Sequence, residues 1–268
     1  MELRRRTPKE QTAAARFELP QSLGLGVGAI LKLEKVSKGF GAVVIATDLD
    51  LELAEGEALG MLGPNGAGKT TLFGIITGTI APNRGRVIFQ GRDITRLSAP
   101  ERCRLGMARS FQVPQPFGGM TVFENLVVAA AFARGKSERE VYRQSAKVLE
   151  ECELADKANL RAGTLTLLDR KRLELARALA TEPRLLLLDE VAGGLSEVEC
   201  EDLVTLVNRI RATGISIVWI EHVVHALVAA VDRIVVLAGG ALVADGKPEA
   251  VIRHPKVAEI YMGIPASE

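Results

Sequence analysis

Aromatic residues are scarce in this chain: one Trp, two Tyr and eight Phe, 4% of 268 residues. The core must therefore be built mainly from Leu, Val, Ile and Ala. Cysteine is scarcer. Cys103, Cys152 and Cys200 lie far apart, without metal-binding spacing and in an odd number, which suits a reducing compartment better than a disulfide framework. Excess charge is also missing. With 34 basic and 33 acidic residues the formal net charge is +1, so nothing in the balance points to a nucleic-acid partner. No apolar run approaches the ~18–20 residues that a membrane span requires. The longest candidate, LVVAAAFA from Leu126 to Ala133, reads as a buried helix. The opening residues, MELRRRTPKEQTAAARFELPQ, carry basic charge but no apolar segment, which makes a poor signal peptide. We read 1–28 as a mobile tail, 29–261 as one domain and 262–268 as a C-terminal end.

What is present is an alternation of short apolar runs and helical patterns. ILKLEKV (30–36), VVIATDLDLEL (43–53), EALGMLG (57–63) and RVIFQGRDI (86–94, turning at Gly91) read as strands. RLLLLDE (184–190) and ISIVWIEH (215–222) are apolar on both faces, as strands are in a parallel sheet covered by helices. Helical patterns occupy 69–78, DRKRLELARALA (169–180) and SEVECEDLVTLVNRIRATG (196–214). Between about Met120 and Gly163 the chain turns wholly helical, as an insertion between β-rich halves would. The fold class is α/β.

GPNGAGKT, Gly63 to Thr70, sits between one of these strands and a helix. That is the context the phosphate-binding pattern G-x-x-x-x-G-K-[ST] requires. Gly63, Asn65, Gly66 and Gly68 would let backbone N–H groups face an anion, and the helix adds its positive end. Lys69 is expected to reach the β- and γ-phosphates, Thr70 to hold Mg²⁺ and Thr71 to touch the α-phosphate. Such a loop alone leaves GTPase, small-molecule kinase and ATPase open. RLLLLDE narrows the choice: Asp189 can bind Mg²⁺ through water, and Glu190 can orient or deprotonate an attacking water. No N-K-x-D run is present, which argues against a GTPase.

Three further stretches follow in order: SFQ (110–112), GLSE (194–197) and IEH (220–222). With the phosphate loop and LTLLDRKRLELARALATEPRLLLLDE (165–190), they resemble the nucleotide-binding subunit of ABC transporters from Leu31 to the C-terminus. The resemblance implies a P-loop NTPase core with a mixed, mainly parallel sheet, an antiparallel β subdomain and a helical subdomain at about 113–170. It implies that Gln112 meets Mg²⁺ and water, that His222 faces the γ-phosphate and that Phe40, in KGFG, stacks on adenine. It implies ATP and Mg²⁺ as cofactors, a second ABC ATPase subunit in a homo- or heterodimer, and membrane permeases as partners. A substrate-binding protein would take part indirectly, and the site of action would be the inner face of the cell membrane. FQVPQPFGGMTVFENL and HPKVAEIYMG are similar to segments of branched-chain amino-acid importers. Amide and urea importers, and ABC ATPases that do not serve transport, are the alternatives.

One stretch departs from the family. Where the signature LSGGQ is usual, this chain has LTLLD, Leu165 to Asp169. Thr166 keeps a hydroxyl toward nucleotide on the partner subunit. Leu167 and Leu168 replace glycines where backbone must approach phosphate. Asp169 would add like charge, or cap the helix. Two expectations stand side by side: an asymmetric pair with one poor site, or a reshaped loop that still works. Val191 stands where the family usually has proline.

Overall fold

Two long strands open the fold. β1 (Ala29–Phe40) and β2 (Val43–Ala54) pair antiparallel across the turn at Gly41, and alternate residues such as Leu31, Leu33, Leu51 and Leu53 are buried. The computed structural model describes residues 28–262; positions 1–27 of the expected tail and 263–268 of the expected end lie outside the described residues. β3 (Ala58–Leu62) leads into α1 (Lys69–Thr77), followed by β4 (Arg84–Phe89) and β5 (Arg92–Asp93). Then come α2 (Ala99–Arg104), β6 (Met107–Arg109), α3 (Val122–Arg134), α4 (Glu138–Glu151) and α5 (Leu167–Ala180). The second half runs β7 (Leu185–Asp189), α6 (Glu197–Ala212), β8 (Ser216–Ile220), α7 (Val224–Val228), β9 (Arg233–Ala238), β10 (Ala241–Gly246), α8 (Pro248–Ile252) and α9 (Pro255–Met262).

These strands form two sheets. The antiparallel one has the order β2-β1-β4-β5. The other has the order β10-β9-β3-β8-β7-β6, parallel throughout except for the β9–β10 hairpin. All five residues of β3, β7 and β8 are buried. The reason is visible in β7. Leu185 and Leu187 face a core shared with α1 and the antiparallel sheet, while Leu186 and Leu188 face one shared with α3 to α7. A strand covered on both faces needs apolar side chains at every position, as LLLL supplies.

The helices begin where their sequences dictate. α3, α4 and α6 each start at a capping box: Thr121 with Glu124, Ser137 with Glu140, Ser196 with Glu199. α2, absent from the sequence reading, carries the same signal in Ser98 and Glu101. The β9–β10 hairpin is also absent from the sequence reading, although Gly239-Gly240 after the apolar run of β9 marks a turn. α3, α4 and α5 pack together as the helical subdomain. Among the described residues no helix is long and apolar enough to cross a membrane.

Candidate active site

The phosphate loop connects the C-terminal end of β3 to α1. Its shape depends on two glycines. A Cβ on Gly63 would lie 2.3 Å from the Leu237 carbonyl oxygen, so only glycine lets the loop pass the end of β9. Gly68 is the N-cap of α1 at φ 95°, and a Cβ there would lie 2.5 Å from Ile45 Cγ2. α1 differs from the capped helices in having no side-chain cap and no acidic residue in its first turn. Its first-turn amides and its positive end therefore remain suited to an anion. Lys69 is buried, and its Nζ donates to the carbonyls of Gly63 at 2.6 Å and Pro64 at 3.2 Å. Burial pushes its pKa below the usual lysine value, opposed by the carboxylates of Glu190 and Asp189. Asn65 and Thr70 are exposed, Gly66 turns at φ 79° and Thr71 is half-buried.

β7 ends beside this loop. Asp189 is buried, and its Oδ2 accepts from Arg109 Nη2 at 2.6 Å. Glu190 adopts φ 48°, a left-handed backbone that costs a non-glycine residue roughly 1–3 kcal/mol. Its N–H donates to the Ile220 carbonyl at 2.9 Å, which fixes the turn. The carboxylate is held on both sides. Gln112 Nε2 donates to Oε2, and His222 Nε2 lies 2.8 Å from Oε1. Gln112, Glu190 and His222, distant in sequence, thus meet at the mouth of the phosphate loop. Phe40 is exposed at the tip of the β1–β2 hairpin, with Lys38 Nζ 4.7 Å from its ring centre. Val43 and Val44 are exposed beside it.

The structure corrects the reading of LTLLD. Asp169 does not cap α5. Thr166 does, its hydroxyl accepting from the Asp169 N–H at 3.2 Å. The Asp169 carboxylate is buried and bound by Lys157 Nζ at 2.8 and 2.9 Å, with Thr166 donating to it at 3.0 Å. Its charge is neutralised within the chain, which removes the argument from like-charge repulsion. Leu167 is exposed in the first turn of α5, and a Cβ placed on Gly194 would meet its Cδ2 at 3.5 Å.

Three residues of this region escaped the sequence reading. Arg109 ends the short strand β6, with its guanidinium 5.6 Å from the Phe73 ring centre and 5.2 Å from that of Phe111. Glu221, within IEH, is buried; it accepts from the N–H groups of Ala192 at 2.6 Å and His222 at 3.1 Å. Burial raises its pKa, and those amides oppose the rise. Lys171 is buried in α5 and reaches the carbonyls of Gln112 and Glu190. For Lys171 and Glu221 the available signal is a charged residue at a position the apolar pattern assigns to the interior; half-buried Arg109 offers no such signal.

The family model described as ABC transporter matches residues 46–193. The chain is 37% identical over 249 residues to the high-affinity branched-chain amino acid transport ATP-binding protein BraF of Pseudomonas aeruginosa, covering 87% of this chain and 98% of that one. It is 33% identical to the lipopolysaccharide export system ATP-binding protein LptB of Acidithiobacillus ferridurans, covering 87% and 97%. A nucleotide-free ATP-binding cassette from an ABC transporter superposes with a TM-score of 0.81 at 32% identity, covering 88% of this chain and 100% of that one. The ADP conformation of an ABC transporter cassette gives the same score and identity. This chain belongs to the ABC transporter family as an ATP-binding subunit, an ATPase whose hydrolysis is coupled to transport and which works with transmembrane permease partners.

Proposed function

We propose that this subunit powers uptake of branched-chain or related amino acids, working on the cytoplasmic side of the membrane. The observation that carries the catalytic part is the meeting of Gln112, Glu190 and His222 beside the Lys69 loop. The cargo reading draws on BraF and on LivG of Escherichia coli, which is 34% identical over 251 residues. The LptB likeness supplies the competing outcome. In the assembled transporter, ATP hydrolysis should rise several-fold when a binding protein loaded with leucine, isoleucine or valine is added. Stimulation by another cargo, or by none of these, would overturn the assignment.

In this reading Lys69 and the α1 amides hold the triphosphate, and Thr71 assists at the α-phosphate. Phe40 stacks on adenine from the hairpin tip. Thr70, Gln112 and Asp189 offer hydroxyl, amide and carboxylate oxygens, the hard donors that Mg²⁺ prefers. Among the described residues no group of three His, Cys, Asp or Glu could hold a metal alone, which suits an ion completed by phosphate oxygens and water. Such an ion, when bound, would neutralise charge on the phosphates. Glu190 takes a proton from water, while Gln112 and His222 keep its carboxylate aimed. Phe111, Val113 and Phe117, between β6 and α3, and Phe132 near the end of α3 are exposed apolar residues that a permease would cover.

A second ATPase subunit would place its phosphate loop against Thr166. We keep the asymmetric reading for that site, because Leu167 is exposed in the first turn of α5, at the position where the family resemblance puts a glycine against the partner's nucleotide. The triple substitution T166S/L167G/L168G leaves Asp169 with Lys157. It should raise turnover of the complex toward double. Unchanged turnover, with the complex intact, would show that the leucines are tolerated.

A further inference from the structure

Lys171 occupies the apolar face of α5, four residues before the buried Leu175. It is 4% exposed, and its Nζ lies 3.4 Å from the Gln112 carbonyl and 3.3 Å from that of Glu190. A cation this deep is unfavourable unless it is partnered. Burial lowers its pKa, and the carboxylates of Glu221 and Glu190 oppose the fall. Its two acceptors lie outside regular structure. Gln112 is in the coil after β6, and Glu190 is in the left-handed turn after β7. Among the described residues, the Glu190 carbonyl otherwise accepts a long turn bond from Gly193, at 3.3 Å. Three segments therefore converge on one ammonium: the helical subdomain, the glutamine segment and the end of β7.

We propose that Lys171 is a positioning residue that holds the backbones of Gln112 and Glu190 in one frame with α5. A displacement of the helical subdomain is then passed directly to the carboxylate that activates water. The lysine acts through the two backbone segments that carry side chains of the site. The inference rests on the role proposed for Glu190.

The test compares K171M, K171Q, K171R and E190Q in the assembled transporter, measuring kcat and KM for ATP together with equilibrium ATP binding. K171M should lower kcat about 10- to 100-fold, the cost of slight misplacement of a reacting group, and leave KM within about threefold. K171R, which keeps a cation with several donors, should restore most of the loss. K171Q, which keeps an amide donor group without charge, should fall between and decides the matter if K171M does not assemble. Wild-type kcat in K171M or K171Q, with E190Q inactive, overturns the inference and leaves the Glu190 reading standing. Wild-type kcat in E190Q overturns both. A loss in K171M and K171Q that follows the amount of folded protein, and that K171R fails to relieve, assigns the lysine to packing alone and also overturns the inference.

Discussion

Replacing Glu190 with Gln lowers ATP hydrolysis by the assembled transporter about 10²–10⁴-fold and leaves ATP binding close to wild type, because a positioned general base contributes a factor of that size. The substitution keeps the shape of the side chain and its place between Gln112 and His222. It removes the ability to accept a proton from water. The loss corresponds to about 3–5 kcal/mol of transition-state stabilisation. Binding is spared because the groups assigned to the triphosphate, Lys69 and the first turn of α1, belong to a different segment. Single-turnover phosphate release, paired with equilibrium binding of labelled ATP, measures both quantities on one preparation. Hydrolysis at the wild-type rate would remove Glu190 from the chemistry.

The second large effect falls on binding. Lys69→Met weakens ATP affinity about 10- to 150-fold, since a hydrogen bond to a charged group is worth about 1.5–3 kcal/mol. Methionine preserves most of the apolar stem that packs in the buried position. The ammonium is lost, and with it the donor that now lies over the carbonyls of Gly63 and Pro64. Titration calorimetry on the variant reads the change directly. Affinity equal to wild type would mean that the loop grips phosphate through its backbone alone.

The two effects differ in how far the sequence disclosed them. The phosphate loop is eight contiguous residues between a strand and a helix, so its chemistry is local and legible. Glu190 is half legible. Its place after LLLLD follows from the apolar run, but its left-handed backbone does not. Gln112 and His222 became candidates through resemblance and chain order. That both reach the same carboxylate is a property of the parallel sheet, which brings the ends of β6, β7 and β8 side by side. Arg109 shows the limit. Its partner Asp189 lies 80 positions away, and no local pattern announces such a pair. Asp169 shows a misreading with a clear cause. Thr166 and Asp169 are both good N-caps. The ion pair with Lys157, 12 positions upstream, draws the carboxylate inward and leaves the cap to the threonine. The antiparallel sheet was visible in β1 and β2, whereas β10 was not, because its pattern of partly exposed residues lacks the continuous apolar run of the central strands.

The central claim is that Lys69 and its loop hold a magnesium-complexed triphosphate that Glu190 helps water to cleave. Equilibrium titration with ATP, with and without magnesium, on the full-length chain assembled with its permeases tests it most directly, with K69M as the control. The account predicts saturable binding that strengthens with magnesium and drops sharply in K69M. Binding that ignores both the metal and the lysine would contradict it.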